Sequence, residues 1–353
     1  MRGRAGRVAP LSARDAGRAG RAGRVAPGVA RGRVADGPNP ARCGRGSRAQ
    51  PGRALGRPAV HGPGAPDARA AGARRDSGYR DRRVKILLTN DDGVGAPGLA
   101  ALYDALTDAH GDLGGPAGEP VWPCAPLTVQ SATSHGVTFH EPLMVTEVRV
   151  NERMGGVAVD GRPADCVKLA LSSLWPEAFG PGEAPDLVIS GINAGANVGI
   201  NVIYSGTVAA ALEAAFLGVP SIAVSLHLGA EPPDWRAAAA RARRAIDACL
   251  ATGAVTGHAC LNINVPVTPE PGPMPPIAVC PMNTHGHVDA YERRISPQGE
   301  VYYWVASKGF EFRDSEAGAD VDLLLRRCIT VTPLWHDLTD TAALPRWRER
   351  LGG

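Results

Sequence analysis

The sequence predicts an α/β protein with a Rossmann-like, doubly wound, mainly parallel sheet and a β-rich extension at its C-terminal end. Three observations predict it. Several runs of strand length (VKILLTN, 84–90; PDLVISGIN, 185–193; SIAVSLHL, 221–228; CLNINVP, 260–266) read as strands, and VKILLTN is continuously apolar, as in a sheet covered on both faces. Segments of helical periodicity lie between them, and alternating strands and helices build parallel sheets. Three runs stop abruptly at polar residues, where open parallel sheets bind ligands.

The elements follow in order. VKILLTN is the first strand. APGLAALYDALTDAH (96–110) has helical spacing, with Pro97 in the first turn, where the missing N–H costs nothing. VWPCAP (121–126) is the second strand. RPADCVKLALSSLW (162–175) reads as one helix, with Val167, Leu169, Ala170 and Leu174 at helical spacing. PDLVISGIN is a buried strand. GTVAAALEAAFLGV (206–219) is a helix ended by Gly218 and Pro220. SIAVSLHL, the helix DWRAAAARARRAIDACLATG (234–253) and CLNINVP complete the series. Beyond Pro266 the chain turns Pro-rich, and GEVYYWVA (299–306) and CITVTPL (328–334) read as antiparallel strands of an extension or dimerisation arm. The predicted organisation is a tail over 1–83, a catalytic core over 84–266, and a β-hairpin extension with a terminal helix over 267–353.

Charge divides the chain. Of its 353 residues, the first 83 hold 20 Arg, no Lys, 5 Asp and no Glu, a balance of +15; the remainder holds 18 basic and 30 acidic residues, a balance of −12. The tail is Arg/Gly/Ala/Pro low complexity, with too few large apolar side chains to offset chain entropy, so it is expected to be disordered. An Arg/Gly-rich tail attracts phosphates and could bind nucleic acid weakly, but it lacks interleaved aromatics for stacking. It is poor in Ser and too rich in Gly and Pro for an amphipathic transit helix. The simplest reading is an upstream extension, with the folded protein starting near Val84. No run approaches the roughly 18 to 20 apolar residues that cross a bilayer. The seven Cys (Cys43, Cys124, Cys166, Cys249, Cys260, Cys280 and Cys328) are odd in number and widely spaced, with no C-x-x-C. They read as free thiols of a reducing, cytoplasmic compartment.

The polar strand ends carry the chemistry. Asn90-Asp91-Asp92-Gly93 closes the first. LTVQSATSH (127–135), with Gln130, Ser131, Thr133, Ser134 and His135, follows the second. SGINAGANVG (190–199), with Asn193 and Asn197, closes the third. A single Asp here would read as a helix cap or a turn. A carboxylate pair beside a hydroxyl and an amide is a hard-oxygen set, suited to Mg²⁺, Mn²⁺ or Ca²⁺ and not to zinc. NVIYSGTVAAALEAA then runs from a loop into a helix near Thr207. Ser205, Gly206 and Thr207 offer either an ordinary N-cap or, beside a metal, a phosphate cradle at a helix N-terminus. Of the histidines, only His135 is expected at the rim; His140, His285 and His287 read as structural.

On these residues the sequence resembles the SurE (survival protein E) family of metal-dependent nucleotidases. The resemblance is carried by ILLTNDDGVGAPG, QSATSHGVT, GRPADCVKLAL, SGINAGANVG, YSGTVAAALEAAFLGVPSIAVS, LNINVP and GADVDLL…CITVTPLWHDLTD, from Val84 to about Asp340. It implies one divalent metal ion per subunit, Mg²⁺ or Mn²⁺, on Asp91, Asp92, Ser131 and Asn193. It implies phosphate contacts from Asn197, Ser205, Gly206 and Thr207. It also implies hydrolysis of nucleoside 5′- and 3′-monophosphates, in some members short polyphosphate, and a C-terminal arm exchanged within a homodimer or homotetramer. Four features depart from the family pattern: Gly95 replaces a polar residue, the stretch after Pro126 lacks Asp-Arg, Ala132 replaces a usual Gly, and Arg162 stands where Thr is common. Asp91 is the expected proton acceptor and Asp92 the firmer ligand.

Two other classes share features with the chain. A receiver-like domain also places an acidic pair after its first strand, but here the later strand end holds Asn193 where a phospho-acceptor Asp would be needed. A non-catalytic metal or nucleotide-binding module is the other alternative, and G-x-G-x-x-G is absent after the first strand, against dinucleotide binding.

Overall fold

The computed structural model describes residues 84–268, 272–285, 290–306 and 315–352. The Arg-rich tail with Cys43, and His287, lie outside them.

The strands are β1 (Ile86–Thr89), β2 (Val121–Pro126), β3 (Val145–Arg149), β4 (Gly155–Val159), β5 (Leu187–Ala194), β6 (Ser221–Leu226), β7 (Cys260–Val265), β8 (Ile277–Val279), β9 (Tyr291–Ile295), β10 (Val301–Val305) and β11 (Ile329–Leu334). The α-helices are α1 (Pro97–Leu106), α2 (Pro163–Leu169), α3 (Trp175–Phe179), α4 (Gly206–Phe216), α5 (Trp235–Ala251), α6 (Asp320–Leu325) and α7 (Leu344–Leu351). Nine strands form one sheet in the order β3-β4-β2-β1-β5-β6-β7-β11-β8, and β9 and β10 form a separate hairpin. From β4 to β7 every pairing is parallel. The two margins carry antiparallel pairs, β3 with β4 and β11 with β7.

The central strands are covered on both faces and are mostly apolar. Ile86 and Leu88 join the core beneath α1 and α5, while Leu87 joins the one beneath α2 and α4. Each such side chain withdrawn from water contributes about 1.5–3 kcal/mol. β1 lies between β2 and β5, so the chain first winds outward through β2 and β4 and then crosses back to β5. The carboxyl end of β1 is therefore the crevice where such sheets take ligands.

Four differences from the sequence reading have physical causes. β3 and β4 are unforeseen: β3 is almost wholly exposed, and β4 opens on Gly155-Gly156, which leaves it a buried apolar run of only three residues. The helix read over 162–175 is not uniform. After α2 it widens into a π-turn over Ala170–Leu174, where the Trp175 N–H reaches the Ala170 carbonyl, and Pro176, which has no N–H, then opens α3. Helix α1 stops at Leu106, short of the expected His110, and Asp108 adopts φ 51. CITVTPL is antiparallel as read, but it pairs with β7 inside the main sheet. With β8, it carries that sheet past position 266.

Among the described residues no helix is long and apolar enough to cross a membrane. The six described cysteines are all free. Burial pushes the Cys124 thiol up to about 12 and that of Cys260 to about 11.

Candidate active site

The turn after β1 is held from within. Asn90 Nδ2 donates to the Gly93 carbonyl at 2.9 Å, and the Val94 N–H reaches the Pro126 carbonyl at the end of β2. Asp91 is 4 % exposed, and Asp92 is partly exposed. Asp92 Oδ2 accepts from the Ala194 N–H at 2.9 Å, so the end of β5 is tied to the acidic pair. Asn193 Nδ2 donates to the Gly195 carbonyl at 2.7 Å. Neither Asp92 Oδ1 nor Asn193 Oδ1 has a hydrogen bond among the described residues.

Helix α4 is aimed at Asp91. Thr207 Oγ1 donates to Asp91 Oδ1 at 2.5 Å. A Cβ added to Gly206 would stand 2.9 Å from Asp91 Cβ and 3.0 Å from its Oδ2, so only glycine admits the carboxylate this close. Burial pushes the Asp91 carboxyl up to about 6; the Thr207 hydrogen bond opposes this, and the Asp92 charge adds to it. Ser205 caps the helix by accepting from the Val208 N–H at 3.1 Å, which leaves its own hydroxyl proton free to donate. The Thr207 hydroxyl proton is committed to Asp91 and its backbone N–H also favours that carboxylate, so an anion here would share the N–H with Asp91.

The loop after β2 is pinned at several points. The Gln130 N–H donates to the Asp91 carbonyl at 2.8 Å, which fixes the residue just before the exposed Ser131. Ser134 Oγ donates to the Ile203 carbonyl at 2.8 Å. His135 Nε2 and Lys168 Nζ lie 2.8 and 2.7 Å from the two carboxylate oxygens of Glu213, on α4. Burial disfavours ionised Glu213, but the bonds from His135 and Lys168 outweigh it and hold the carboxyl below its ordinary value. Asp165, 2 % exposed, accepts from the Thr138 N–H and hydroxyl and from the Arg162 N–H. It thereby joins the far end of this loop to the start of α2.

Beneath the site, Asn197 belongs to a buried amide cluster. Its N–H donates to Asn264 Oδ1 and its Nδ2 to Ser225 Oγ, both at 2.8 Å; its carbonyl accepts from Asn262 and Asn264. These bonds make it a brace for the 194–199 loop. Asp320, fully buried, accepts from the N–H groups of Gly199, Asn283 and Val321, each at 2.8 Å. It anchors the 3₁₀ turn Gly199–Tyr204 that leads into Ser205.

Asp91, Gly206 and Thr207 are therefore in direct contact. Asp92 and Asn193 border them across one strand pairing, and Ser131 follows a residue bonded to Asp91. Among the described residues no three His, Cys, Asp or Glu side chains converge as a metal group. The donor set is two carboxylates completed by an amide oxygen and a hydroxyl, with the Asp92 and Asn193 oxygens uncommitted. Two adjacent carboxylates, one of them buried against its own ionisation, fit a divalent cation with oxygen preference. Sequence reasoning missed Glu213 and Lys168. The available signal was Glu213 itself, the one acidic residue in the Ala-rich helix GTVAAALEAAF.

The family profile described as "Survival protein SurE" matches residues 86–287. A 5′-nucleotidase SurE of Desulforudis audaxviator is 43 % identical over 263 residues, covering 74 % of this chain and 95 % of that protein. A 5′-nucleotidase SurE of Syntrophobacter fumaroxidans is 43 % identical over 259 residues, with 72 % and 95 % covered. The crystal structure of the SurE protein from Aquifex aeolicus superposes with a TM-score of 0.61 at 32 % identity, covering 75 % of this chain and 99 % of that one.

Proposed function

Because this chain belongs to the SurE family, we propose that it is a hydrolase, a divalent-metal-dependent 5′-nucleotidase releasing phosphate from nucleoside 5′-monophosphates, and from 3′-monophosphates and short polyphosphate as well. One observation carries the reading: Asp91 lies against the N-terminus of α4, so a cation site and an anion site share a wall.

Asp91, Asp92, Asn193 and Ser131 would hold one Mg²⁺ or Mn²⁺. When bound, such an ion polarises a phosphoryl oxygen and acidifies water. The rest is the work of the chain's own groups. The N–H groups of Gly206 and Thr207 and the hydroxyl of Ser205 bind the phosphate oxygens and meet the charge that grows on them in the transition state. Asp91 Oδ2 takes the proton of the attacking water, and Asp92 fixes the strand ends through Ala194. The Asp91–Thr207 bond orients the carboxylate for that transfer. Neither a Cys-x₅-Arg nor a D-x-D-x-T pattern accompanies the rim, which supports direct attack by water without a phospho-enzyme.

The exposed β9–β10 hairpin, with Tyr302 and Trp304, supports assembly as a homodimer or homotetramer. The free cysteines support residence in the cytoplasm.

The test is phosphate release from a panel of nucleoside monophosphates with Mg²⁺, Mn²⁺ or EDTA, on the full chain and on Asp92→Ala. Release is expected only with metal, falling at least about 10²-fold in the variant. Nucleotide binding without release under any metal would replace the enzyme by a binding module. Asp91→Asn and Asp92→Asn divide the roles: a near-normal rate with weakened metal affinity in Asp91→Asn would remove Asp91 as the proton acceptor.

A further inference from the structure

Three cationic or protonatable side chains stand around the loop after β2, and they are not equivalent. His135 and Lys168 share the carboxylate of Glu213. Arg162 is exposed and forms no ion pair among the described residues. Yet its root is rigid. Its N–H donates to the buried Asp165 at 2.9 Å, and the same carboxylate holds Thr138. The side chain lies flat over the loop, since a Cβ on Gly136 would stand 2.3 Å from Arg162 Nη1 and 3.0 Å from its Cζ. The next residue, Pro163, touches the wall of the site: a Cβ on Gly206 would meet Pro163 Cγ at 3.1 Å and Asp91 Cβ at 2.9 Å. Arg162 is thus an uncompensated guanidinium, guided by a glycine, one residue from the group that packs on Gly206.

We propose that Arg162 is a specificity-determining residue that binds a second phosphate of the nucleotide, so the site favours substrates carrying a phosphate beyond the one removed. The proposal rests on the reading of the site as a nucleotidase. The charge of the reacting phosphate is met by the cation site and the N-terminus of α4, which leaves a monophosphate with nothing to offer Arg162. A planar guanidinium takes phosphate oxygens in a bidentate pair, which a point-like ammonium does not. Being already exposed, the group gives up little hydration in reaching a ligand. The glycine at 136 lets it lie against the loop with its fork unpaired.

The test compares adenosine 5′-monophosphate with adenosine 3′,5′-bisphosphate on the full chain with Mn²⁺, for the native protein, Arg162→Gln, Arg162→Lys and Gly136→Ala. Gly136→Ala keeps the arginine but displaces it. For the bisphosphate, Arg162→Gln and Gly136→Ala are expected to lower kcat/KM about tenfold, through KM, with Arg162→Lys recovering part of the loss. For the monophosphate the change stays within about twofold. Equal losses on both nucleotides would assign Arg162 to the reacting phosphate or the base and overturn the proposal, as would no loss on either. Calorimetric binding of both nucleotides separates the two levels. Should the native protein release no phosphate from either, the nucleotidase reading falls, and the relative affinities of native and Arg162→Gln protein still decide the role of Arg162.

Discussion

Gly206 has no room for a side chain, and that fixes what the first turn of α4 can do. With a Cβ 2.9 Å from Asp91 Cβ, Gly206→Ala must push the carboxylate or the helix start aside. Helix propensity favours alanine by about 1 kcal/mol and overpacking costs about 1–3 kcal/mol, so the net destabilisation is at most about 2 kcal/mol. Activity is expected to fall about 10²-fold, because a displacement of about 1 Å at the phosphate is enough. Phosphate release together with calorimetric melting checks this; near-native turnover in Gly206→Ala would show that the contact does not define the site. At this scale Asp91, Asp92, Ser205, Gly206 and Thr207 were legible in the sequence, since strand ends and helix starts leave residue-type signatures. The donor roles were not legible. That the Thr207 hydroxyl serves Asp91, and that Asn197 serves a buried amide cluster, depends on partners 28 to 116 residues away.

Helix α4 illustrates what periodicity conveys and what it leaves out. Its alanines let it pack closely over β5 and β6, and its extent was readable from the Ser205 cap and Gly218. Its single carboxylate was not interpretable without the fold, because His135 and Lys168 come from other elements. Glu213→Gln is expected to destabilise the protein by about 1–3 kcal/mol at neutral pH, as the loss of a buried hydrogen-bonded charge does. The pH dependence follows from the sign of its shift. The folded-state pKa lies below the ordinary 4.5, so the stabilisation is complete above that value and is lost as pH falls through the lower, folded one. Urea unfolding of native and variant protein should therefore differ at pH 7 and converge near pH 3; a difference constant with pH would contradict the assignment. β3, β4 and β8 escaped prediction for a related reason. β3 is exposed, β8 has three residues and the buried part of β4 has three, whereas the pattern that marks a strand is a longer buried run.

For the whole molecule, the doubly wound core was readable because every central strand is buried on both faces. The return of β11 into the sheet was not, since a run such as CITVTPL carries no mark of which neighbour it will join. The consequences can be measured. Replacing 291–305 with a short Gly/Ser linker removes a hairpin whose strand residues are all exposed, so the chain should still fold, while the proposed dimer should sediment as a monomer. An unchanged sedimentation coefficient would remove the hairpin as the proposed assembly surface. Truncation after Pro266 should instead yield insoluble protein, because it strips β11 from the edge of β7 and Asp320 from Gly199.

That last contact also sets a schedule. A ribosome makes this chain from its N-terminus, and Asp91, Ser205 and Gly206 are in place long before Asp320 has been translated. The turn that delivers Ser205 and Gly206, the proposed phosphate-binding residues, waits on a carboxylate translated well after them. A nascent chain can carry every residue of the proposed chemistry and still lack the brace that aligns them, so competence is expected to arrive late in synthesis, when the C-terminal segment docks.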